Sequence, residues 1–145
     1  MSDRVDAVNA WEALFRAQVT VLRALHAEFP NGELSLNEYD VLFNLSRQPD
    51  HQLRIRDINK HLLLTQPSVS RLVDRLAARD LLRKASDPGD GRGTIVSLTE
   101  AGYALFRKVA LTHSASIVRQ MENLSPKELA TLTTLTDKLR RSAEG

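Results

Sequence analysis

Leu64-Thr65-Gln66-Pro67-Ser68-Val69-Ser70-Arg71-Leu72-Val73-Asp74-Arg75-Leu76 is the stretch that decides the fold. Thr65 suits a helix N-cap, because its hydroxyl can accept an N–H left orphaned in the first turn. Pro67 suits that first turn, where a missing N–H costs no helical hydrogen bond. Val69, Leu72, Val73 and Leu76 recur in steps of three and four and form one apolar stripe. At about 100° per residue the opposite face holds Pro67, Ser68, Arg71, Asp74 and Arg75, with Ser70 at its edge. An exposed face of small hydroxyls and arginines therefore starts at the helix N-terminus, where free N–H groups favour an anion.

Upstream, Leu53 to Leu62 reads as a short helix whose first residues can be extended, with Ile55, Ile58 and Leu62 on one side. Only Leu63-Leu64 separates it from the Thr65 cap, and two helices joined that tightly make a helix-turn-helix. Before them, Ser35 and Glu38 form a capping box. Tyr39, Leu42 and Phe43 continue as an apolar face, and the helix should end near Arg47, ahead of Pro49. Val8, Trp11, Phe15, Val19, Leu22, Leu25 and Phe29 mark a long helix from about Val5 to Phe29, stopped by Pro30-Asn31-Gly32. A helix of that length crosses a whole domain or packs on a partner chain.

Downstream, Leu82–Ser86 and Thr94–Leu98 read as strands. Asp87 to Gly93 lies between them and holds three of the chain's six glycines and one of its five prolines. This predicts a long hairpin loop with a projecting tip. Thr99 caps a helix over roughly 100–121. Ser125-Pro126-Lys127-Glu128 starts the last one with an N-cap, a proline at N1 and a capping-box glutamate. The fold class is mainly α with a small β-hairpin wing (α+β). A winged helix-turn-helix lobe occupies 34–98, and a helical region occupies 1–33 and 99–145.

This arrangement suits the reading of duplex DNA. The first turn of the second helix of a helix-turn-helix enters the major groove. Gln66, Ser68 and Ser70 can bond base edges or phosphates, and Arg71 or Arg75 can pair with guanine or phosphate. Arg92, near the loop tip, can reach the adjacent minor groove. Either feature alone suits a solvated helix face or an ordinary turn. Their succession points to DNA.

The same residues resemble the MarR family of transcriptional regulators. Leu64 to Leu76 looks like that family's recognition helix. Asp80-Leu81-Leu82-Arg83-Lys84 looks like its approach to the wing, with Asp80 where the family commonly has Gly. Asp87-x-x-Asp90-x-Arg92-Gly93 looks like its wing signature, and Leu98-Thr99-Glu100-Ala101-Gly102 like the start of its fifth helix. The resemblance implies a homodimer built by the helical region, which becomes a dimerisation region. It implies a pseudo-palindromic operator with half-sites about 34 Å apart, and repression as the default. It makes Thr65, Gln66, Pro67, Ser68, Ser70, Arg71, Arg75, Asp90 and Arg92 the DNA-binding candidates, with Asp90 orienting Arg92 through an ion pair and Asp74 left for an intramolecular salt bridge. It also implies release by a small amphipathic or aromatic acid. Trp11, Phe15, Tyr39 and Phe43 are the effector-binding candidates, against the reading that they are ordinary core. Trp11 resembles the aromatic residue of the urate- and phenolate-responsive branch.

Composition narrows the alternatives. The 145 residues include no cysteine, which excludes a disulfide framework, a cysteine-ligated metal and thiol-based sensing. The histidines, at 26, 51, 61 and 113, include no pair at i, i+4 spacing, so neither a metal nor a cofactor is expected. The glycines at 89, 91 and 93 sit in a hairpin rather than between a strand and a helix, and no nucleophile elbow or His-Glu-x-x-His occurs, so an enzyme is not expected. No apolar run approaches the ~18 residues of a membrane span. Met1–Asn9 lacks the apolar core of a signal peptide, so a cytoplasmic protein is the expectation. The net charge of +2 conceals an asymmetry. Residues 1–50 carry 4 basic and 8 acidic side chains, whereas 54–92 carry 9 and 5. A basic centre fits a nucleic-acid surface. The runner-up is a winged-helix protein-interaction module without DNA binding, against which Arg71, Arg75 and Arg92 weigh.

Overall fold

The computed structural model describes residues 2–144. Met1 and Gly145, the outermost residues of the helical region expected over 1–33 and 99–145, lie outside the described residues. The elements in chain order are α1 (Ser2–Glu28), α2 (Leu36–Ser46), β1 (Gln52–Arg54), α3 (Ile55–Asn59), α4 (Gln66–Ala78), β2 (Leu82–Asp87), β3 (Asp90–Leu98), α5 (Glu100–Met121) and α6 (Pro126–Glu144). The strands form one antiparallel sheet in the order β1-β3-β2. The chain divides into two compact units, 29–113 and 2–28 with 114 onward, and α5 runs from the first into the second.

The 29–113 unit is a winged helix with a continuous apolar core. Val41, Leu42 and Leu45 of α2 and Ile58 of α3 are fully buried with Val69, Val73 and Leu76 of α4 and Val96 of β3. The stripe read from the sequence of α4 is thus the side that packs. The capping box of α2 is complete. Glu38 N–H donates to Ser35 Oγ at 3.1 Å, and Ser35 N–H donates to Glu38 Oε1 at 2.8 Å. Rings close one end of the core. Phe29 and His113 meet edge to face at 5.2 Å, and Tyr39 stacks on Phe106 at 5.4 Å. Burial pushes the His113 imidazole pKa down and the Tyr39 phenol pKa up.

The end of α4 is a Schellman motif. Asp80 N–H bonds Ala77 O and Leu81 N–H bonds Leu76 O, each at 3.0 Å. Asp80 has φ 60°, a left-handed conformation that glycine adopts freely and aspartate tolerates. The departure at Asp80 from the glycine common in the resembling family is therefore accommodated. Thr99 fastens the next helix to this corner. Its hydroxyl donates to Asp80 O at 2.7 Å and accepts from Gly102 N–H at 3.0 Å, while its own N–H bonds Leu81 O at 3.2 Å.

Two expectations are corrected. The segment from Leu53 to Leu62, read as a short helix whose first residues can be extended, does begin extended, and its helix is shorter than expected. Gln52–Arg54 is a third strand, with Leu53 opposite Val96, and α3 ends at Asn59. Pairing with β3 outweighs the helical spacing there because Leu53 can cover the core from either conformation. The hairpin loop is also shorter than expected. β2 runs to Asp87 and β3 starts at Asp90, so the turn is Pro88-Gly89 alone. Asp87 Oδ1 accepts Gly89 N–H at 2.9 Å and closes that turn. The register jumps from Ser86↔Thr94 to Asp87↔Asp90, which leaves Gly91-Arg92-Gly93 without partners on β2. Arg92 thus stands on an irregular stretch of β3 and not at the tip of a long loop.

In the second unit, Ser125 and Glu128 form the expected capping box at the start of α6. Arg119 Nη2 lies 2.8 Å from Glu28 Oε2, and this bond, followed by that of Ser116, lowers the Glu28 pKa. Among the described residues no helix is long and apolar enough to cross a membrane.

Gly102 tests the corner between α4, β2 and α5. A β-carbon there would overlap the backbone carbonyl of Leu81. Gly102→Ala is expected to destabilise the protein by about 1–3 kcal/mol, read as a lowered urea midpoint. An unchanged midpoint would show that the corner gives way freely.

Candidate nucleic-acid interface

Thr65 sets the start of α4. Its Oγ accepts the N–H of Ser68 at 3.2 Å and donates to Ser68 Oγ at 3.0 Å. Thr65, Gln66, Pro67, Ser70, Arg71 and Arg75 are exposed and Ser68 is half-buried. Arg71 Nη2 donates to Ser68 Oγ at 3.3 Å, so a neutral hydroxyl steadies the guanidinium without cancelling its charge. Arg75 differs. Its Nε is 4.0 Å from Oε2 of Glu38, the capping-box acid of α2. Asp74 pairs with Lys84 of β2, which holds it in an intramolecular bridge and ties the wing to α4.

The wing places Arg92 exposed, between two glycines. The expected ion pair from Asp90 is not formed. Asp90 Oδ1 instead accepts the backbone N–H of Arg92 at 3.1 Å. An acid two residues ahead of an N–H closes a local Asx turn more readily than it reaches the end of a long side chain. The ion pair at the wing is formed by Asp87 with Arg54 of β1, Nε to Oδ2 at 2.7 Å. It is a charge contact without hydrogen-bond alignment. Arg54, Arg56, Asp87, Asp90, Arg92 and Thr94 border one recess of about 200 Å³.

Arg54, Arg56 and Asp87 were not among the candidates drawn from the sequence. The available signal was Arg54-Ile55-Arg56, two cations flanking a core residue just before the helix-turn-helix. Sequence alone did not bring Asp87 to it.

Of the effector candidates, Trp11 and Phe15 adjoin on α1, with ring centroids 5.7 Å apart. They are 57% and 49% exposed, so neither belongs to a core within its own unit. Tyr39 is 6% exposed and is a core ring of the winged unit. Phe43 stacks on it at 6.3 Å and lies under the guanidinium of Arg47. The structure thus joins the four in two pairs, one in each unit.

Residues 33–93 match the family model described as the MarR family. The HTH-type transcriptional regulator PecS of Dickeya dadantii (strain 3937) is 29% identical over 114 residues, 78% of this chain and 67% of that one. The crystal structure of AbsC, a MarR family transcriptional regulator from Streptomyces coelicolor, aligns with a TM-score of 0.78 at 26% identity, over 94% of this chain and 93% of that one. The chain is thus similar to MarR family regulators, in sequence over 33–93 and in fold over nearly its whole length. The structure of BpsR of Bordetella bronchiseptica aligns with a TM-score of 0.77 at 26% identity, over 91% of this chain and 98% of that one. Its DNA binding is described as regulated by 6-hydroxynicotinic acid. PecS and AbsC are both described as transcriptional regulators.

Proposed function

We propose that this protein is a MarR-family regulator, a cytoplasmic repressor that binds a pseudo-palindromic operator as a homodimer and is released by a small amphipathic or aromatic acid. The observation that carries DNA binding is the exposed first turn of α4. Gln66, Ser68, Ser70 and Arg71 stand together there, with Arg92 on the wing of the same unit. Such a turn fits a major groove edge-on, and Arg92 suits the neighbouring minor groove. The description of BpsR as a regulated DNA binder supports the same reading.

The salt dependence of binding to nonspecific duplex tests it. The log–log slope should be about −0.9 per neutralised phosphate. Arg92→Ala should make it shallower by about one and weaken binding by about 1–3 kcal/mol. A flat salt response would overturn DNA binding and favour the protein-interaction module.

Dimerisation rests on the second unit, which has too little core of its own. No residue of α6 is buried, and Leu135 and Leu139 are more than half exposed, as are Val5, Val8 and Trp11 of α1. Stripes of this kind mark an interface. Removal of 126–145 is expected to shift sedimentation equilibrium from dimer to monomer. A truncated chain still dimeric at micromolar concentration would contradict that role.

Effector recognition is assigned to the exposed pair Trp11 and Phe15, two aromatic faces suited to a flat acid. Trp11 is the only tryptophan, so its fluorescence is a clean reporter. Benzoate should change it saturably, and Trp11→Phe should retain DNA binding while losing the response to benzoate. No fluorescence change together with unaltered operator affinity would exclude aromatic acids as effectors.

A further inference from the structure

We propose that Asp87 is a positioning residue for the wing, holding the 90–93 stretch so that Arg92 is presented to DNA. The proposal rests on the DNA-binding reading above and adds a residue to it. Asp87 is 5% exposed, although it lies in a hairpin whose neighbouring residues are open to solvent. Burial of a lone carboxylate is costly, and here two polar contacts offset it. Oδ1 accepts the N–H of Gly89 and closes the turn. Oδ2 meets the Arg54 guanidinium at 2.7 Å. The side chain also packs under Gly93, where an added β-carbon would lie 3.2 Å from Asp87 Cβ and 3.4 Å from Oδ2.

Those contacts fix both ends of the unpaired stretch. Asp90 stands opposite Asp87 in the register, and Gly93 lies on the Asp87 side chain. Gly91 and Arg92 bridge the two without partners on β2. The side of the sheet is anchored as well, because Arg54 reaches Asp87 from β1, which pairs with β3 at Ile95. Arg54 therefore spends its charge inside the unit and acts as a strut, while Arg92 has no carboxylate partner among the described residues. One buried acid thus links the strand before α3 to the curvature that carries Arg92.

Asp87→Asn keeps the turn acceptor and the shape and removes the charge. In the full-length protein, Asp87→Asn should weaken duplex binding by nearly the factor seen for Arg92→Ala, about tenfold. The double variant should show little further loss, because the two residues act through one contact. Without DNA, amide exchange at Gly91, Arg92 and Gly93 should quicken in Asp87→Asn and in Arg54→Ala, while α4 amides keep their protection. Additive losses in the double variant, or unchanged exchange at 91–93, would overturn the proposal. A wild-type chain that fails to bind duplex refutes the proposed function instead, and the DNA-free exchange still decides the role of Asp87.

Discussion

At Asp80 the backbone turns left-handed, and Leu81 N–H reaches back to Leu76 O at 3.0 Å. This turn ends α4 and starts β2 in the same few residues. The carbonyls of Asp80 and Leu81 then receive the hydroxyl and the N–H of Thr99, the residue that opens α5. Gly102 lets the helix backbone approach that close. The recognition helix, the wing and the first half of α5 therefore share one backbone joint. Its satisfaction is local, with each polar group at the corner answered by a neighbour, as buried backbone requires. Displacing any of the three elements would break hydrogen bonds belonging to the other two.

The parts of the fold legible in the sequence are those whose chemistry is local. Ser35 with Glu38, Thr65 ahead of Pro67, and Ser125 with Glu128 each start a helix where the side chains indicate it, because capping partners lie within one turn. The apolar stripe of α4 was legible for the same reason. What escaped depends on residues distant in the chain. β1 is a strand only because β3 offers a free edge beside Leu53. Asp87 is recognisable as a buried acid only once Arg54 has been brought to it. Asp90 was expected to pair with Arg92, whereas the ion pair at the wing joins Asp87 to Arg54. Both acids lie near Arg92 in sequence, and the alternation of side chains does not reveal a register jump.

The cations of the winged unit divide by what they face. Lys84 is committed to Asp74, Arg54 to Asp87, and Arg75 leans towards Glu38. Arg56, Arg71 and Arg92 have no carboxylate partner among the described residues. The first group joins helices and strands to one another, and the second leaves its charge open to solvent. Counting basic residues over 54–92 could not make that division. An internally paired guanidinium contributes little to the field met by an approaching polyanion.

The two-residue turn at Pro88-Gly89 has a consequence for how this wing can vary. Arg92 sits behind the turn, on the strand side of Asp90, and its displacement comes from the unpaired bulge. Its reach is therefore set by backbone curvature and not by loop length. Residues inserted at the tip would lengthen the hairpin beyond Asp87 and Asp90 and leave the arginine at its present height above the sheet. Two variables that usually change together in a hairpin, the size of the loop and the reach of the side chain it carries, are here independent.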